Sequence, residues 1–125
     1  MNVINTKVHG VLDYLAGAIL MASPWLFGFY KGGLESSVPM LVGAGTLLYS
    51  LITNYELGIA NAISMKTHLI LDVISGLFLI ASPWLLGFHN TVYLPHVVIG
   101  ALEIVVVALS SSVAYQHHNH HQLGM

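Results

Sequence analysis

The sequence predicts an all-α membrane protein, a four-transmembrane-helix bundle made of two parallel two-helix repeats. Three observations carry that expectation. Of 125 residues, 56% are apolar and 6% are charged, against a charged share of about 25% in soluble domains, so the chain lacks the polar shell of a water-soluble monomer. The few charged residues and the histidines then divide the chain into four apolar stretches, each near the ~20 residues that cross a ~30 Å hydrocarbon core. Finally, residues 7–29 aligned on residues 66–88 give 13 identities in 23 positions without a gap, which marks an internal duplication. The length fits one membrane domain over 1–125, with repeat 1 at about 7–55, repeat 2 at about 66–115 and a polar, His-rich tail at 116–125.

The first span is expected over 8–30. Lys7 leads straight into it without the basic segment and small-residue cleavage site of a signal peptide, so it reads as retained. Pro24 removes the hydrogen bond to the Leu20 carbonyl and disfavours helix at Ser23, predicting a kink or a stop there with Gly28 closing the turn. Trp25 lies 18 residues after Lys7, about 27 Å of helix, which places the indole at the opposite interface as an anchor. The second span is expected over 36–55, where Glu56 reads as a solvated end charge. The third, 67–88, repeats the first, with Pro83 and Trp84 in the same roles. The fourth is expected over 97–116, and Val42-Gly43-Ala44 matches its Ile99-Gly100-Ala101 at an offset of 57. Two spans per unit, an even number, make the repeats parallel about an axis along the membrane normal.

The duplicated segment reads K-x-H-x-x-L-D-x-x-x-G-x-x-L-x-A-S-P-W-L-x-G-F, with ASPWLFGF at 22–29 and ASPWLLGF at 81–88. In Ser23-Pro24-Trp25 and Ser82-Pro83-Trp84 the chain resembles the SPW repeat family of small bacterial integral membrane proteins, over both units. The resemblance implies a membrane location and a repeat architecture and no particular reaction.

Asp13, Asp72 and Glu103 lie well inside the expected spans, where a carboxylate costs on the order of 3 kcal/mol or more unless it is partnered. His9 and Asp13 are four apart and share a helix face, as do His68 and Asp72, with Gly17 and Gly76 one turn further along the stripes. Parallel symmetry brings His9, Asp13, His68 and Asp72 together on the axis if the stripes face inward. Imidazole nitrogen and carboxylate oxygen suit a divalent metal such as zinc. The spacing is similar to that of the paired His-x-x-x-Asp helices of cation diffusion facilitator zinc transporters, as an analogy of sites. The alternatives are a hydrogen-bonded cluster that pins the packing, a proton or ion relay, and haem held by His9 and His68. In the fourth span His96, Gly100 and Glu103 share one face. His96 and Glu103 form a candidate relay, and otherwise Glu103 is protonated or paired with Tyr49 or a His.

Three classes of function follow: a metal-holding or structural membrane protein, an ion or proton transporter or channel subunit acting as a homo-oligomer, and a haem-binding membrane redox protein. Three Lys, no Arg and a net charge of -2 argue against nucleic acid as a partner and leave the lipid bilayer as the main one. The absence of Cys removes disulfides, thiolate metal sites and a Cys nucleophile. Ser23 and Ser82 lie far along the helices from His9 and His68 and no G-x-S-x-G elbow is present, so the balance is against an enzyme. Lys7 and Lys66 on one side against Lys31 on the other favour a multi-pass inner-membrane protein with both termini cytoplasmic. The tail at 116–125 is His-rich enough to chelate metal and is not assigned a site.

Overall fold

The computed structural model describes residues 3–112. They form four helices, α1 Thr6–Leu26, α2 Leu34–Leu51, α3 Met65–Leu85 and α4 Leu94–Ala108. The only β pairing among the described residues is two isolated bridges, Ile4 with Ser110 and Thr53 with Ile63. The His-rich tail lies outside the described residues.

The odd-numbered helices start alike because their sequences do. The Asn5 side chain accepts the Val8 N–H at 2.8 Å, and the Ser64 hydroxyl accepts the Thr67 N–H at 3.1 Å, each relieving an orphan donor of the first turn. At their far ends the helices run two residues past the proline before they end, and Gly28 closes the turn of α1 as expected. α1 runs through Pro24 to Leu26, and α3 through Pro83 to Leu85. The Leu20 carbonyl, deprived of a donor by Pro24, accepts the Ser23 hydroxyl at 2.8 Å, and Ser82 does the same for Leu79 at 2.8 Å. The hydroxyl replaces the missing N–H, so the proline is tolerated within the last turn. α1 then ends in a Schellman turn. The Phe29 N–H reaches the Pro24 carbonyl at 2.8 Å, the Gly28 N–H reaches that of Trp25 at 3.3 Å, and Gly28 takes φ 68°, which a side chain would strain.

Packing is closest within each repeat. A Cβ added to Gly43 on α2 would lie 2.6 Å from the Gly17 carbonyl on α1, and one on Gly100 of α4 equally close to that of Gly76 on α3. The glycines of the His-x-x-x-Asp stripes therefore do bring backbones together, α1 on α2 and α3 on α4. Between the repeats, the N-terminal turns of α1 and α3 meet through His9, Asp13, His68 and Asp72. At the other end Phe29 and Phe88 both pack on His96, with ring centroids 5.2 and 5.0 Å away.

The interior is small and unusually polar. Leu20, Val38, Leu79 and Phe88 form the buried apolar cluster. Around it lie buried Thr6, His9, Asp13, Ser23, Glu35, Thr46, Thr53, His68, Asp72, Ser82, His96 and Glu103. Leucines and isoleucines cover the outside, for example Leu15, Leu41, Leu48, Ile70, Ile74 and Leu102, each more than half exposed.

The helices are shorter than the expected spans. Among the described residues only α3 is both long and apolar enough to cross a membrane on its own terms, and α4 has 15 residues. α4 stops at Ala108 because the chain there turns to pair with the segment before α1. The Ile4 N–H bonds the Leu109 carbonyl at 2.8 Å and the Ser111 N–H bonds that of Ile4 at 2.9 Å. In the same way α2 stops at Leu51, and the segment after it pairs with the lead-in to α3, the Asn54 N–H meeting the Ile63 carbonyl at 2.8 Å. Glu56 is half-buried rather than a free end charge, and its Oε1 accepts the Thr6 hydroxyl at 2.7 Å.

Candidate metal centre

His9, Asp13, His68 and Asp72 converge. The two imidazole centroids are 5.4 Å apart, and one ligand atom from each of the four side chains lies within 4.8 Å of all the others. Both histidines are fully buried, and Asp13 and Asp72 are nearly so. The contacts within each stripe are the longer ones, 3.2 Å from His9 Nε2 to Asp13 Oδ2 and 3.4 Å from His68 Nε2 to Asp72 Oδ2. The short ones cross between repeats, with His9 Nε2 2.7 Å from Asp72 Oδ2 and His68 Nε2 2.6 Å from Asp13 Oδ2. Neither repeat can complete the centre alone.

The other ring nitrogen of each histidine is fixed from outside the cluster. Thr53 Oγ1 donates its only proton to the Tyr49 carbonyl at 2.6 Å, so toward His68 Nδ1, at 2.8 Å, it acts as an acceptor. Ser110 Oγ donates to the Val106 carbonyl and accepts from His9 Nδ1 at 2.7 Å. Both rings therefore carry a proton on Nδ1 and present Nε2 to the carboxylates. An outer hydrogen bond that sets the tautomer and orients the inner nitrogen is the usual support of a metal-binding histidine. These hydroxyls come from the ends of α2 and α4, held in place by the bridges of Thr53 with Ile63 and of Ser110 with Ile4. Neither Thr53 nor Ser110 was apparent as a site residue in the sequence. The signal was available, since the offset of 57 that aligns Gly43 with Gly100 also aligns Thr53 with Ser110.

Two carboxylates in so dry a place must be neutralised. Two protons shared across the short Nε2 to Oδ2 contacts do this, and so does one divalent cation. The donor set fits a cation: two imidazole nitrogens and two carboxylate oxygens make a tetrahedral N/O site, reached by opening the short contacts to the roughly 3.3 Å edge of a zinc tetrahedron. A porphyrin does not fit between the histidines, because carboxylate oxygens stand at hydrogen-bond distance from each Nε2 where the iron and its ring would have to be.

The repeats differ around this centre. Tyr49 on α2 donates its hydroxyl to Asp72 Oδ1, so the pairing of Tyr49 with Glu103 considered from the sequence does not form. Glu103 is 6% exposed, and among the described residues neither of its oxygens has a hydrogen-bond partner. His96 lies at the opposite end of the molecule from the cluster, bonded through Nε2 to the Glu35 carbonyl at 2.9 Å. Ser23, Pro24, Ser82 and Pro83 are buried helix-end residues. Trp25 and Trp84 are more than half exposed, Trp25 stacked on Tyr30 and Trp84 on His89.

Fold and site together define a class: a duplicated four-helix protein with a polar core and an apolar exterior, its repeats joined through buried histidines and aspartates. A match to the SPW repeat domain extends over residues 7–110. The chain belongs to the SPW repeat family. No curated protein and no solved structure matches it.

Proposed function

We propose that this SPW repeat protein is a multi-pass integral membrane protein whose central His9, Asp13, His68 and Asp72 hold one divalent cation, zinc. The observation that carries the metal reading is the locked tautomer. Thr53 and Ser110 commit both Nδ1 atoms to donating, leaving two Nε2 lone pairs beside two Oδ2 atoms. The metal reading is favoured over a purely structural cluster because one cation satisfies all four atoms at once and cancels both charges.

The membrane reading rests on the inversion of polarity: polar side chains line the interior, and aliphatic ones occupy the outer faces of all four helices. A lipid solvent rewards that arrangement and water penalises it. In this reading α1, α2 and α4 cross with α3 as a bundle, their polar residues satisfied inward, and the bilayer thins locally at the short α4. Trp25 and Trp84 anchor one interface, and the Lys7 and Lys66 side is cytoplasmic.

Cobalt substitution tests the centre. Cobalt(II) added to detergent-purified protein lacking residues 116–125 is expected to give the intense visible bands of a four-coordinate site, abolished by zinc and absent from His9→Ala. Only the weak spectrum of six-coordinate cobalt would contradict the proposal.

A further inference from the structure

The two seams between the repeats are unequal, and the difference has a definite shape. At the offset of 57, Tyr49 corresponds to Val106 and Thr46 to Glu103. In the seam of α2 with α3, the Tyr49 ring lies 5.0 Å from that of His68 and its hydroxyl donates to Asp72 Oδ1. In the seam of α1 with α4, Val106 leaves that place empty, and a cleft of about 360 Å³ opens. Among the described residues Asp13 and Glu103 are its only ionisable groups; the other walls are aliphatic, among them Leu15, Ile19, Leu102 and Val106. Asp13 uses Oδ2 for both histidines, and among the described residues no side chain donates to its Oδ1. Glu103 is more than nine-tenths buried, and among the described residues both its oxygens are unpartnered. One repeat thus carries a phenol on its own chain, and the other has a cleft in that place, lined by Asp13, the counterpart of Asp72.

We propose that the α1–α4 cleft binds the phenolic headgroup of an apolar small molecule, which donates its hydroxyl to Asp13 or Glu103 as Tyr49 donates to Asp72. The volume accepts a substituted ring, and the aliphatic walls accept the tail. A buried acceptor without a donor is costly, so the donor is what the site selects for. This site is separate from the cation reading, since Asp13 keeps Oδ2 for the histidines and offers a different oxygen to the cleft.

The test compares para-hexylphenol with para-hexylanisole, its methyl ether, which has the same ring and tail and no donor. Equilibrium dialysis against purified protein is expected to show one para-hexylphenol per chain, bound roughly tenfold or more tighter than the ether, the worth of one hydrogen bond to a buried carboxyl. Val106→Tyr, which rebuilds the missing side chain, is expected to abolish binding while leaving zinc content and helix content unchanged. Glu103→Gln is expected to weaken the phenol at least severalfold and the ether little. If Val106→Tyr fails to fold, Ala16→Phe blocks the same cleft from α1. Equal affinity for phenol and ether, or binding that survives a folded cleft-filling variant, would overturn the proposal whether or not the centre holds zinc.

Discussion

At the level of single residues, the serine before each proline supplies the donor that proline lacks. Ser23→Ala leaves the Leu20 carbonyl without a partner in the core and is expected to cost about 1–3 kcal/mol. Adding Pro24→Ala should recover most of that, because alanine restores a backbone N–H to the same carbonyl; a thermal-denaturation cycle on the single and double variants measures the coupling. Hydroxyls are equally decisive at Thr53 and Ser110. Thr53→Val and Ser110→Ala release the Nδ1 atoms and should each weaken zinc binding by roughly 10- to 100-fold, as loss of an outer partner does. Glu35 makes a separate, pH-dependent contribution at the start of α2, just ahead of the expected second span. Burial works against its charge, but donors at Gly33, Ser36 and Lys31 overcome this and hold the carboxyl below its usual range. A lowered folded-state pKa stabilises above the unfolded value and is lost as pH falls through the folded one. The stability gap between the protein and Glu35→Gln should therefore be full near neutrality and close as pH drops below 4.5, the ordinary value, which melting curves across that range would record.

Helices and their ends were legible to different degrees. The four elements and their grouping in two repeats could be read from the apolar stretches and the duplication, because one pattern met twice marks a repeated helix pair. The His-x-x-x-Asp stripes could be read as converging for the same reason. Where helices stop could not be read from hydropathy. α2 and α4 end where Thr53 and Ser110 meet the lead-ins to α3 and α1, a pairing between distant chain segments that leaves no mark in the hydropathy of either helix. The continuation past Pro24 and Pro83 was hidden because the compensating bond comes from a neighbouring hydroxyl, not from the backbone rule that proline breaks. Close approach of paired helices rests on glycine. Gly43→Ala and Gly100→Ala each place a methyl 2.6 Å from an opposing carbonyl oxygen, and each is expected to lower stability by about 1–3 kcal/mol, whereas Gly45→Ala, with open space around it, should not.

For the whole molecule, duplication explains both the symmetry of the centre and its departures. Each histidine is bonded to the other repeat's aspartate and oriented by a hydroxyl at the end of an even-numbered helix, so the cluster ties the two repeats together. A topology with both termini on one face is expected from the paired spans, and labelling of Asn2→Cys and Gly124→Cys in this otherwise cysteine-free chain should reach both from the same side. The central claim is that the four converged side chains form one metal site. Elemental analysis of purified protein lacking residues 116–125, beside its Asp13→Asn form, tests it most directly. One zinc per chain in the former and almost none in an equally helical Asp13→Asn is the predicted result, and equal metal content in the two would contradict it.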